Sequence, residues 1–203
     1  MANNNTGGHW SRGHVSPYLL DYFRTQLDCK TMLDVGCGVG LNVAFAKEQH
    51  GYTAYGIEGD SDALVNPICD NLFKHDFEND GVVKIKEIPD QIDLIWSVSV
   101  SEHIDGSKVH NYMDIFKRAK YVIFTWCPIG WPGHHHVNCQ EAPYWIDKFE
   151  EIGYELNQPL TRIVKEKSNL NMIKSVYWRD PLLNNKQVPK MYLREWGLCF
   201  TKI

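Results

Sequence analysis

The sequence predicts an α/β domain built on a parallel sheet with helices on both faces, and three observations carry that expectation. An apolar run, Met32-Leu33-Asp34-Val35, breaks into alternating glycines at Gly36, Gly38 and Gly40 and is followed by a helix-like stretch from Leu41 to Gln49. Runs rich in β-branched and aromatic residues then alternate with segments of helical period along the rest of the chain. Several of those runs end on an acidic residue, at Glu58, Asp76 and Glu102, which puts carboxylates where ligands sit in such sheets.

Bulk composition sets the frame. A chain of 203 residues, 43% of them hydrophobic, is long enough to bury a substantial core and short for two domains, so residues 1–203 are read as one domain. The net charge of −4 argues against a broad phosphate-binding surface and makes nucleic acid an unfavoured partner. Six cysteines are scattered without a C-x-x-C pair, which fits reduced thiols and a cytoplasmic location. The polar start, Asn3-Asn4-Asn5-Thr6-Gly7-Gly8, has no apolar signal core, and no apolar run approaches the roughly 18 residues of a membrane span. No membrane partner is expected, and the composition does not speak to oligomeric state.

Taken in order, His9, Trp10, Arg12 and His14 form a stretch that reads either as a lid or as a surface tail. Ser16 followed by Pro17 is an N-cap with a first-turn proline, and Leu19, Leu20, Phe23 and Leu27 recur at helical spacing, so a helix should run to about Asp28. At the glycine turn, backbone freedom allows positive φ and close approach to a ligand, while N–H groups at the helix start favour an anionic or carboxylate group. A dinucleotide fold wants G-x-G-x-x-G, but here the third glycine comes one residue early and Leu41 stands in the sixth position. Asp34, two residues before the first glycine, suits a cationic group rather than a pyrophosphate. Thr53–Glu58 reads as the second strand, and Glu58 at its tip is placed to accept ribose hydroxyls.

A short helix is expected from Asp60 or Ser61 through Ala63, Leu64 and Ile68, then a third strand over Asn71–Phe77 and a crossover or small hairpin over Asn79–Pro89. The fourth strand begins at Gln91 and runs into Ser97, Val98, Ser99, Glu102, His103 and Ile104. A helix over Lys108–Lys120 leads to a fifth strand, Tyr121–Cys127. The following loop, Pro128–Asn138, is rich in Gly, Pro and Trp and carries His134, His135 and His136, and its place after the fifth strand suits closure over a substrate. An aromatic helix from Tyr144 to Gly153, a sixth strand at Tyr154-Glu155-Leu156, an inserted helix over Leu160–Asp180 and a last strand over Tyr192–Lys202 complete the chain. The inserted segment is basic, with Arg162, Lys165, Lys167, Lys174 and Arg179, and reads either as a solvated face or as a patch recognising phosphate or carboxylate.

The D-x-G-x-G-x-G pattern of Asp34 to Gly40 resembles motif I of the class I S-adenosylmethionine (SAM) dependent methyltransferases, and the D-L-I-x-S opening of Asp93–Ser97 with Glu102-His103-Ile104 resembles their motif IV in the group acting on small molecules. His136-Val137-Asn138 and the helix ending at Gly153-Tyr154 are similar to the same group. The resemblance spans roughly residues 30–155, with 1–29 as an N-terminal lid and helix and 156–203 as an insertion and final strands. It implies a Rossmann-like seven-stranded sheet, mostly parallel with an antiparallel last strand, and SAM as cofactor. The implied cofactor residues are Asp34, Gly36, Cys37, Gly38, Gly40, Glu58, Asp76 and Phe77 at the adenine, and Ser97 and Val98 at the methionine part.

Methyl transfer to a small hydroxylated acceptor then requires removal of a proton, for which histidine is suited. His136 or His103 is expected as the base, with Glu102 orienting either, and no metal. One alternative is metal-assisted 2′-O-methylation of a nucleic-acid end, since related enzymes carry E-x-x-E-H after the fourth strand; here Ser99 stands in place of the first glutamate. Another is a SAM-binding protein without catalysis.

Overall fold

The computed structural model describes residues 15–168 and 191–203. Seven strands form one sheet: β1 Thr31–Val35, β2 Thr53–Glu58, β3 Leu72–Lys74, β4 Ile92–Ser97, β5 Ala119–Thr125, β6 Tyr154–Leu156 and β7 Gly197–Lys202, in the order β3-β2-β1-β4-β5-β7-β6. The pairings through β5 are parallel, and β7 runs antiparallel to both β5 and β6. The helices are α1 Pro17–Gln26, α2 Leu41–His50, α3 Val109–Phe116, α4 Ala142–Glu151, α5 Gln158–Ser168 and α6 Met191–Trp196. The seven-stranded, mostly parallel architecture expected from the sequence is the one observed.

Strand side chains alternate between faces, and both faces are apolar. Met32, Leu94, Trp96, Ile123 and Cys199 pack with Leu19 and Phe23 of α1, Val43 and Phe45 of α2, Val164 of α5 and Leu193 of α6. Leu33, Val35, Ile95, Val122, Phe124 and Phe200 pack with Tyr112 and Phe116 of α3 and Trp145 and Phe149 of α4. Aromatic rings dominate the second face, where Phe149 stacks on Phe200 with centroids 3.9 Å apart and meets Phe124 edge-on. A sheet buried on both faces leaves only its strand ends for chemistry.

Two local expectations are corrected. Residues 60–68 form turns rather than a helix, because Asp60 Oδ1 accepts the Asp62 N–H at 2.9 Å and Pro67 interrupts the run. Of the crossover or small hairpin expected over 79–89, the crossover is the one observed. The last strand starts at Gly197, and Tyr192 to Trp196 lie on α6. The histidine stretch before Val15 and the part of the inserted segment beyond Ser168, with Lys174 and Arg179, lie outside the described residues.

Candidate active site

The turn after β1 shows why glycine is needed there. Gly36, Gly38 and Gly40 have φ of 79°, 55° and 88°, all in the left-handed region. A Cβ on Gly36 would come within 2.3 Å of Val100 Cγ2, and one on Gly40 within 2.5 Å of Leu72 Cδ1. The first contact joins the end of β1 to the residue run beyond β4, the two strands at which the connections of this sheet diverge in direction. That switch point is where open α/β sheets bind ligands.

Four backbone N–H groups of the turn are engaged by neighbouring acceptors. Gly36 and Cys37 donate to the Ile57 carbonyl at 2.8 and 3.0 Å, Gly40 donates to the Cys37 carbonyl at 3.0 Å, and Gly38 donates to Glu58 Oε2 at 2.7 Å. The glycines hold the β2-end carboxylate in place: Glu58 Oε1 also accepts the Asp60 N–H at 2.8 Å. A carboxylate has about four acceptor sites, so two hydrogen bonds leave each oxygen able to accept a hydroxyl. Burial raises the Glu58 pKa, while the N–H groups of Asp60, Gly38 and Gly59 pull it back.

Asp34 is 5% exposed, and burial pushes its carboxyl up to about 7, with the Glu58 charge adding to the rise. The Asn42 amide pulls the other way but stops short of a full hydrogen bond, and both its polar side-chain atoms are buried without a partner. An uncompensated carboxyl and an orphaned amide side by side are costly. A cationic donor placed there would offset that cost. Asn42 was not singled out in the sequence, although a polar residue between Leu41 and Val43 on an apolar helix was a signal.

Cys37 is buried at 5% exposure, and burial with the Asp34 charge pushes its thiol well up. Asp76 caps its own turn, accepting from the Glu78 N–H at 2.9 Å and from Asn79 Nδ2 at 2.7 Å. The Phe77 ring lies in the core, edge-on to His75 and Tyr112. Ser97 Oγ is within 2.7 Å of the Tyr112 hydroxyl and donates to the Val35 carbonyl at 3.3 Å, and Val98 is buried beside it. Of these, Ser97 ties the end of β4 to the end of β1, next to the glycine turn.

Beyond β4, Ser99 takes φ of 57° and donates its N–H to Thr125 Oγ1 at 2.9 Å. That backbone reversal starts the 3-10 turn Ser101–His103. Glu102 is 3% exposed, and burial pushes its carboxyl up to about 7. Its carbonyl accepts N–H groups from Val137 and Asn138 at 2.9 and 3.1 Å, which fastens the loop after β5 to the turn after β4. His103 Nδ1 lies 3.1 Å from the His135 carbonyl, so Nδ1–H donates and Nε2 carries the lone pair in the neutral ring. His136 meets His103 edge-on with centroids 5.2 Å apart. The structure therefore brings Glu102, His103 and His136 together, with one potential ligand atom from each within 4.8 Å of the others. Tyr192 of α6 was missed: after burial, the Glu102 charge is the next cause holding its hydroxyl above the usual range.

No family model matches the chain, and no curated protein matches it by sequence. Solved structures do. A TehB-like SAM-dependent methyltransferase from Corynebacterium glutamicum superposes with a TM-score of 0.54 at 16% identity, over 92% of this chain and 88% of that one. A SAM-dependent methyltransferase from Geobacter sulfurreducens in complex with S-adenosyl-L-homocysteine gives 0.47 at 14% identity, over 98% and 96%. The strand order with an antiparallel β7, the glycine turn after β1 and the first of these likenesses agree: the chain has the fold of the class I SAM-dependent methyltransferases.

Proposed function

We propose that this chain is a SAM-dependent methyltransferase acting on a small hydroxylated acceptor, with His103 as the base. The observation that carries the reading is the buried Asp34–Asn42 pair beside Glu58, on a turn where the N–H groups of Gly36, Cys37, Gly38 and Gly40 already have acceptors. A dinucleotide would need those N–H groups for its pyrophosphate. A zwitterionic nucleoside needs what is present, an acceptor for an ammonium at Asp34 and Asn42 and acceptors for ribose hydroxyls at Glu58.

In this reading Asp34, Gly36, Cys37, Gly38 and Gly40 shape the methionine end, Asp76 borders the adenine side, and Phe77, Ser97 and Val98 support the floor from the core. SAM supplies, when bound, a methyl group on a positively charged sulfur. His103 Nε2 takes the proton of the acceptor hydroxyl, and the His135 carbonyl keeps the ring in the tautomer that allows it. Glu102 fixes the roof through its carbonyl, and His136 packs against the base. The test is calorimetric titration with SAM and S-adenosylhomocysteine, followed by transfer of labelled methyl from SAM into a panel of hydroxylated small molecules. Binding of NADH without SAM overturns the reading.

A second reading rests on the closeness of Glu102, His103 and His136, which would suit a metal assisting 2′-O-methylation of a nucleic-acid end. Methyl transfer into RNA ends that needs added Mg²⁺ or Mn²⁺ would select it.

A further inference from the structure

The loop after β5 holds a cluster that the methyl-transfer chemistry does not use. Cys127 Sγ and Cys139 Sγ are 3.4 Å apart, and each lies 3.6 Å from His136 Nδ1. We propose that Cys127, His136 and Cys139 form a binding site for Zn²⁺ or a similarly thiophilic divalent cation.

The shape of the triangle is the main argument. Zn–S bonds of about 2.3 Å and Zn–N bonds of about 2.0–2.1 Å at tetrahedral angles require S···S near 3.8 Å and S···N near 3.6 Å. The observed edges are 3.4, 3.6 and 3.6 Å, so one face of the ligand tetrahedron is assembled within a few tenths of an ångström. A disulfide has its sulfurs at about 2.05 Å, so the two thiols are separate groups. Two sulfurs and an imidazole select zinc over magnesium or manganese, which prefer oxygen.

The site is also held in place. Cys127 is 4% exposed at the end of β5, Cys139 precedes α4, and the loop between them is tied to Glu102 by the Val137 and Asn138 N–H groups. A Cβ on Gly133 would lie 2.0 Å from His136 Nε2, so the ring lies flush on that glycine and is confined from one side. His136 Nδ1–H donates to the Trp131 carbonyl at 3.2 Å, and the Cys139 thiol faces the same oxygen at 3.9 Å. Protons thus occupy the space between these atoms, and a cation would replace them. A bound cation would cross-link the two ends of the roof loop and fix His136 against His103, whatever the acceptor.

The test uses untagged full-length protein, purified under reductant and analysed for metal by mass spectrometry. One equivalent of zinc per chain is expected, falling about tenfold or more in Cys139→Ser and in His136→Asn with far-ultraviolet circular dichroism unchanged. Replacement with Co²⁺ should give an intense thiolate-to-cobalt charge-transfer band that Cys139→Ser removes. Metal-free protein that takes up neither ion, or a Cys127–Cys139 disulfide in protein kept under reductant, overturns the proposal. So does metal retained in Cys139→Ser but lost in His103→Ala, which would place the cation on the Glu102 side. Because SAM binding is read separately by calorimetry, loss of the metal site and loss of the methyltransferase reading are distinguishable.

Discussion

Replacing Asp34 with asparagine should make the ligand-free protein more stable while abolishing SAM binding. The carboxyl is raised from its ordinary 3.8 to about 7, chiefly by burial, and that interval corresponds to about 4 kcal/mol as an upper figure. The sign follows from proton uptake. Between those two values the folded chain holds a proton that the unfolded chain has released, so stability falls as pH rises through the interval and the cost is complete above about pH 7. The groups facing Asp34 are Glu58 from β2, the Cys37 thiol from the turn and the Asn42 amide from α2. An amide in place of the carboxyl would carry no charge for Glu58 to oppose and could pair with Asn42. Urea unfolding at pH 8 should therefore favour Asp34→Asn, with a smaller advantage at pH 5. Even half the upper figure, about 2 kcal/mol, moves a thermal midpoint by roughly 4–8 °C in a chain of this size. Below about pH 7, binding of SAM to the wild type should release a proton, seen as a heat that varies with buffer ionisation enthalpy. A variant no more stable than wild type at pH 8, or one that still binds SAM with wild-type affinity, refutes the reasoning.

Further outcomes follow from single contacts. His103→Ala should lower methyl transfer by about 10²–10⁴ with SAM affinity unchanged, measured by labelled-methyl incorporation and calorimetry; a fall in both together would give the ring a structural role. Gly133→Ala puts a methyl where the His136 ring lies and should weaken Co²⁺ retention without changing SAM binding. Gly36→Ala should cost about 1–3 kcal/mol, from the left-handed backbone and the collision with Val100. Val100→Ala added to it should recover the steric part alone, which urea midpoints of the two variants would show.

The parts of the fold that were legible in the sequence are those in which local pattern and tertiary burial agree. Thr53–Glu58 alternates and ends on its acid, Tyr154–Leu156 follows a glycine turn, and Pro17 marks the start of α1. Tyr192 to Trp196 misled because aromatic residues favour strands, whereas here they pack as one helical turn against α5 and the β5 loop. Gly197 makes that junction possible, since a Cβ there would meet the Leu193 carbonyl at 2.2 Å. At the site, Asp34 and Glu58 were legible because strand ends fix them. The partners of those groups were not: the engagement of Glu58 by Gly38, the orphaned Asn42 and the convergence of Cys127, His136 and Cys139 depend on how two loops lie against each other. A spacing of eight and two intervening residues announces no metal motif by itself.

The two halves of the proposed reaction lie side by side along one edge of the sheet, at the carboxyl ends of neighbouring parallel strands. On the β1–β2 side, Asp34 and Glu58 are carboxyl groups held by a glycine turn, an environment that attracts positive charge and hydroxyls. On the β4–β5 side, the groups are imidazoles and thiols in a loop whose Val137 and Asn138 N–H groups bond the Glu102 carbonyl, an environment that would take up protons or a soft cation. The two meet where Gly36 packs on Val100 and Ser97 Oγ reaches the Val35 carbonyl, so the turn that would shape the cofactor end and the turn that carries His103 share one rigid support. A donor and an acceptor bound at the two turns would be held in register by that shared support. Loss of positional order at that contact should therefore slow transfer more than it weakens either binding step.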